Sequence, residues 1–175
     1  MRQILIPAFV LLSSLCVGVS FADGPVPRIE EAGEFLGLEF QVNGQRSKGS
    51  LPLYRAEAVR YFSAGVGIEE RSAEYPPFSL KLVFTAGGKP FLAGVAVTIQ
   101  PAKGGSAINI PQGHVNGPWL FVDLPSGTYH VTAIHANRTQ GLKAVKLEAG
   151  KTKTVHLRWA EEGERTTSSR EAVGQ

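Results

Sequence analysis

Cysteine is almost absent from this chain. Its 175 residues hold one, Cys16, so no intramolecular disulfide can form and the fold must rest on its apolar core. Domains of this size manage that by burying roughly two-thirds of the surface of the unfolded chain. Basic runs are missing as well. The 18 Lys and Arg stand against 15 Asp and Glu, and they are scattered, so nothing tracks a phosphate backbone. That argues against a nucleic-acid partner and against electrostatic docking on a membrane. There is no His-x-His and no cluster of His, Asp and Glu at ligand spacing, so no metal or other cofactor is expected.

What is present begins with an export signal. Arg2 gives a short positive start, and residues 4–19 form an apolar run interrupted by Pro7, a serine pair and Gly18. Ser20-Phe-Ala22 puts small residues at the −3 and −1 positions, which predicts cleavage between Ala22 and Asp23. The run is too short to favour a membrane anchor, so no stable membrane insertion is expected. Leu15 before Cys16 argues against lipid attachment. The expected location is periplasmic or secreted, and Cys16 leaves with the signal.

Residues 23–77 read as an N-terminal extension. Residues 34–42 suit a short strand, Asn43-Gly44 is a turn signal, and the polar, Gly/Ser-containing residues 45–52 suggest a loop. Periodicity does not decide between helix and strand for residues 55–61. After Tyr61-Phe-Ser-Ala-Gly-Val-Gly67 a short helix is predicted near residues 68–75. Glu69 and Glu70 suit its N-terminus, Pro76-Pro77 stops it, and Glu69-Glu70-Arg71 reads as its solvated face.

From residue 78 the pattern is that of strands. Phe78, Leu80, Leu82 and Phe84 alternate with other residues, as do Val95, Val97 and Ile99. A long loop at 101–117 holds a possible short strand at 107–110. Trp119-Leu-Phe-Val-Asp-Leu-Pro-Ser-Gly-Thr-Tyr-His-Val131 is the most informative stretch. Its period two marks strands on either side of Pro125-Ser126-Gly127, a turn by its Pro and Gly. It predicts a hairpin or a sheet-to-sheet corner, with Tyr129 placed to bond back to upstream backbone as a tyrosine corner does. Residues 137–141 read as a turn, residues 142–148 and 152–159 as strands. Many short strands between turn signals mean an all-β sandwich or barrel. Residues 160–175 are charged and poor in large apolar side chains, and a disordered tail is expected.

Three stretches together resemble the carboxypeptidase regulatory-like domains. They are Gly88-Lys-Pro-Phe-Leu-Ala-Gly-Val-Ala-Val-Thr-Ile99, the aromatic-x-aromatic-x-x-Leu-Pro-x-Gly-x-Tyr-x-Val run of residues 119–131, and Leu147-Glu-Ala-Gly-Lys-Thr-Lys-Thr-Val-His-Leu157, which is similar to the family's closing hairpin. The resemblance covers residues 78–159. It departs from the family where Asn116-Gly117-Pro118 replaces the usual Asp-Gly turn. It implies a transthyretin-like (prealbumin-like) Greek-key sandwich of about seven strands, in a small exported bacterial protein. Such domains are accessory modules, so it carries no catalytic residues and implies no enzyme.

Candidate sites are few. Asp123, Ser126 and His130 lie within eight residues, but Ser126 is an ordinary turn residue and the spacing is wrong for a nucleophile elbow. His130 and His156 should face outward; on neighbouring strands they could pair, and with His114 or His135 hold a metal. Trp119, Phe121 and Tyr129 belong to the core by motif position. Trp159, at the end of the last strand, is the better exposed ring for a sugar. Trp159, His130 and His156 are therefore the candidate ligand surface. Asn137-Arg-Thr139 fits a glycosylation acceptor. The expected function is a non-catalytic binding or structural module whose partner, a protein or a glycan, is reached through loop 101–117 or a sheet edge. The alternatives are a carbohydrate-binding module or a small His-dependent metal enzyme.

Overall fold

The computed structural model describes residues 28–42, 44–87 and 92–160. The expected signal with its Ala22–Asp23 cleavage site, the first residues of the expected extension, Asn43, residues 88–91 of the first family-like stretch and the tail expected beyond Ala160 lie outside those residues.

The fold is all-β. Among the described residues there are twelve strands in three sheets and one short α-helix, where about seven strands were expected. A three-stranded antiparallel sheet is made from β1 (Arg28–Ala32), β2 (Phe35–Val42) and β3 (Gln45–Pro52). A five-stranded sheet has the order β12-β6-β9-β5-β4. Its strands are β4 (Tyr54–Ala56), β5 (Val59–Ala64), β6 (Leu80–Ala86), β9 (Trp119–Asp123) and β12 (Lys153–Trp159). A four-stranded sheet, β11-β10-β7-β8, is built from β7 (Ala96–Pro101), β8 (Ile108–Ile110), β10 (Gly127–His135) and β11 (Arg138–Leu147). The helix α1 is Ile68–Ser72.

The four- and five-stranded sheets are the sandwich. Leu80, Leu82 and Phe84 of β6 and Leu120 and Val122 of β9 point between them. They meet Val97 and Ile99 of β7, Tyr129, Val131 and Ala133 of β10, and Leu157 and Trp159 of β12 in one core. The chain crosses between the sheets after β6, β8, β9 and β11. The segment from β9 to β10 is therefore the sheet-to-sheet corner. The phenol of Tyr129 donates to the carbonyl of Pro125 at 2.9 Å, the bond the tyrosine-corner pattern predicts. The connection of residues 147–157, expected as a hairpin, instead joins two sheets, and β12 pairs parallel with β6.

The sandwich also begins earlier than residue 78. Strand β5 pairs antiparallel with β9 from Arg60↔Asp123 to Ala64↔Trp119, so part of the expected extension is sandwich. The outer face of β5 and β9 carries Phe62, Ala64 and Phe121, with Trp119 beside them. Leu36 and Leu51 of the β2–β3 hairpin, and Leu53 after it, close over these rings as a second core. Phe62 and Phe121 stack there at 4.6 Å. A strand covered on both faces has no polar side, which is why Val59-Arg-Tyr-Phe-Ser-Ala64 shows no clean alternation.

The expected loop at residues 45–52 is strand β3, paired with β2 along its whole length. Ladder pairing overrides the weak β-propensity of its Gly, Ser and Lys. The turn expected at residues 137–141 is shorter. Ala136 and Asn137 take it with φ of 47° and 59° between the paired His135 and Arg138, the geometry of a two-residue type I′ hairpin.

Candidate functional site

The predicted site residues do not come together. Trp159 is a core residue, 1% exposed, and its indole N–H donates to the carbonyl of Arg138 at 3.0 Å. The expectation of an exposed sugar-stacking ring is corrected by that burial: period two places Trp159 on the same face as Leu157. His130 and His156 are exposed, as expected. They stand on the outer faces of different sheets, so the sandwich separates them. The Nδ1 of His130 accepts the backbone N–H of Ala144 at 3.3 Å. Among the described residues no group of three His, Cys, Asp or Glu converges as a metal site would.

Asp123 and Ser126 line one pocket of about 230 Å³, with Pro77, Glu148 and Lys151 also on its wall. His130 is on a different face, so the three residues form no triad. Asp123 is held by Arg60 at 2.9 Å. Phe121 and Tyr129 are buried, and Trp119 is half-buried with the ammonium of Lys81 3.5 Å from its ring centre. Asn137 is exposed at its turn.

The site the structure does assemble is a cleft where β4 meets the loop after β8. It is lined by Tyr54, Ser63, Val66 and Glu70 from one side and by His114, Asn116 and Gly117 from loop 101–117, with Leu51 and Pro52 at its end. Its volume is about 90 Å³. His114 belongs to a single 3-10 turn, Gln112–His114. Its ring stacks flat on Tyr54, with centroids 3.8 Å apart and planes within 4°. Its Nδ1 lies 2.9 Å from the hydroxyl of Tyr61, whose pKa is raised by burial and by the neighbouring Tyr54.

Glu70 builds the other wall. Its Oε2 accepts the backbone N–H groups of Gly65 at 2.7 Å and Val66 at 3.1 Å, where a solvated helix face was expected. Gly65 has φ of +97°, open to glycine but not to other residues without strain. The carboxylate thus pins a tight knuckle that presents Val66, 62% exposed, and Ile68, 70% exposed. Phe35, at 48%, is the cross-strand partner of Pro52 at the cleft's end. Of the four large hydrophobics most exposed among the described residues, Val66 lines the cleft, Ile68 follows it by two residues, and Phe35 is paired with Pro52 of the lining; exposed apolar groups brought together in this way mark interaction surfaces. The Gly65-Val-Gly67 run and Glu70 were the sequence signal; what the sequence hid was that the glutamate folds back onto the glycines.

Compared with known proteins, the chain matches no protein-family profile, no curated protein and no solved structure. Among the described residues no helix is long and apolar enough to cross a membrane.

Proposed function

We propose that this chain is a non-catalytic, exported binding module of the carboxypeptidase regulatory-like kind, and that its partner docks at the Tyr54–His114 cleft. The observation that carries the reading is Val66, a large apolar side chain left 62% exposed on the wall of a cleft that also holds polar groups. Loop 101–117, proposed as the route to a partner from the sequence, supplies His114, Asn116 and Gly117 to that floor. The Tyr129–Pro125 bond at the β9–β10 corner supports the sandwich part of that reading. The separation of His130 from Asp123 and Ser126 supports a non-catalytic one.

The test is site-specific photo-crosslinking in the cell that makes the protein. A photoreactive residue at Val66 should give a discrete crosslinked species, and one at Thr154, on the outer face of β12, should not. Adding Ile68→Asp should suppress the Val66 species. Equal labelling at both positions, or none at Val66, would overturn the cleft assignment. Mass spectrometry of the same protein should give a chain starting at Asp23, and a product retaining Cys16 would overturn the export reading.

A further inference from the structure

The four-stranded sheet has its own exposed face, on a different sheet from Tyr54, Ser63 and the other strand residues of the cleft. The outward residues of β10 are Thr128, His130, Thr132 and Ile134, alternating with the buried Tyr129, Val131 and Ala133. Register carries the rows across the strands. Thr132 is opposite Thr98 on β7 and Gly141 on β11, and Thr98 is opposite Asn109 on β8. His130 is opposite Gln100, and Thr128 is opposite Lys146. Thr98 donates to the Asn109 side-chain oxygen at 2.9 Å, which holds that row in place. The face is thus a flat lattice of hydroxyls and amides.

Its charge has one sign. Lys143 and Lys146 are exposed on β11. Lys103 is exposed just past β7, where Ala102 donates to the carbonyl of Thr128, so Lys103 and Lys146 flank the Thr128 end and Lys143 stands opposite His130. No Asp or Glu stands on the described strands of this sheet; Glu148 follows β11 and is held by Lys151 at 2.9 Å and by Lys146 at 3.8 Å. Across residues 92–160 the only acidic residues are Asp123 and Glu148, against seven Lys and Arg.

We infer that this face binds an anionic polysaccharide. Charge complementarity selects an anion. The kind of anion follows from what surrounds the lysines. Apart from His130 the described residues of the face carry no aromatic ring, so among them there are no stacking platforms of the kind that hold single-stranded nucleic acid, and none on which a neutral sugar ring could stack. With Ile134 its one large exposed apolar side chain, it lacks the aromatic and Arg anchors of protein interfaces and the apolar stripe that enters a lipid surface. Hydroxyl and amide rows beside ammonium groups match a chain of sugar hydroxyls bearing repeated carboxylate or sulfate.

The test is binding of the full chain to alginate, a polyuronate, and to heparin, a sulfated chain, with dextran and duplex DNA as comparisons. One of the two anionic chains should bind, more weakly as salt rises. Which of them binds tells carboxylate from sulfate. The triple variant K103E/K143E/K146E should lose about tenfold or more in affinity. Thr132→Val, which changes no charge, should also weaken binding. Lys153→Glu with Arg158→Glu, exposed on β12 of the other sheet, should leave it within about twofold. All of these side chains are exposed, so an unchanged melting temperature certifies each variant. Failure of both anionic chains to bind, dextran or DNA binding as tightly, or equal losses in the triple and the β12 variants would each overturn the inference.

Discussion

Ser63 and Gly117 hold each other from both sides. The N–H of Gly117 donates to Ser63 Oγ at 2.8 Å, and that hydroxyl donates to the Gly117 carbonyl at 3.3 Å. Ser63 is the one buried polar side chain among the described residues, and this pair satisfies it. The contact fastens the end of loop 101–117, which carries His114 and Asn116, to β5 just as β9 begins. A Cβ on Gly117 would sit 2.3 Å from the carbonyl oxygen of Ala64, inside the backbone of the neighbouring strand. Gly117→Ala should therefore cost about 2–3 kcal/mol by overpacking. Ser63→Ala, which strands a buried N–H, should cost about 1–3 kcal/mol. Urea unfolding checks both, and a midpoint unmoved by Gly117→Ala would mean that the two strands can part without penalty.

The same glycine shows what the sequence could and could not convey. Asn116-Gly117 reads as a turn dipeptide, yet Gly117 is required by its close approach to Ala64 of a distant strand, which no local pattern encodes. The alternation from Tyr129 to Ala133 was legible because β10 has one wet face, and that from Leu80 to Phe84 because Lys81 breaks the apolar run, although Val83 beyond it is buried. Strands β5 and β9, covered on both sides, concealed the second core and with it the membership of β4 and β5 in the sandwich. The tyrosine corner was legible because it spans four residues. Of the cleft, loop 101–117 and the Gly65–Glu70 element were visible as separate pieces. Their meeting depends on β5 lying beside β9, which is a tertiary fact.

The two tryptophans of the chain should now behave differently. Trp159 fills the sandwich core against Phe84 and His135, so Trp159→Ala should cost about 3–5 kcal/mol. Trp119 is half-buried at the margin of the second core, and Trp119→Ala should cost clearly less. With Trp119→Phe leaving Trp159 as the sole indole, its fluorescence should be blue-shifted and resist quenching by acrylamide. Ready quenching would return Trp159 to the surface.

Ala144 sits where two residues of β11 oppose one of β10. The register slips between Tyr129↔Val145 and Val131↔Leu142, leaving Lys143 and Ala144 facing His130. Ala144 takes φ of 57° in this bulge, a left-handed conformation that costs a Cβ-bearing residue about 1–2 kcal/mol. Glycine pays no such strain there but loses more entropy on folding. Ala144→Gly should thus stabilise the protein by about 1 kcal/mol, read as a higher urea midpoint with unchanged slope. A lower midpoint would mean the bulge straightens in solution.

Stability should fail in alkali, and tyrosine burial is the reason. Burial, with the Glu70 carboxylate as the smaller cause, pushes the Tyr75 hydroxyl far above its ordinary 10.0; burial also raises Tyr129, and burial with Tyr54 raises Tyr61. Each keeps its proton in the folded state at a pH where the unfolded chain gives it up. Above pH 10.0 the unfolded chain therefore binds fewer protons, and by linkage stability falls as pH rises. Below that value these groups contribute their full share. Lys81 works the other way: burial over Trp119 and Phe121 lowers its pKa, so its share of stability grows as pH rises towards 10.5. The net fall should set in once the unfolded tyrosines ionise. In Tyr75→Phe, which also removes the bond to the Glu70 carbonyl, stability near neutrality should drop somewhat, but the decline above pH 10.0 should be shallower. Urea midpoints measured across that range decide it, and an identical alkaline slope in wild type and variant would show that Tyr75 is solvent-accessible in the folded chain.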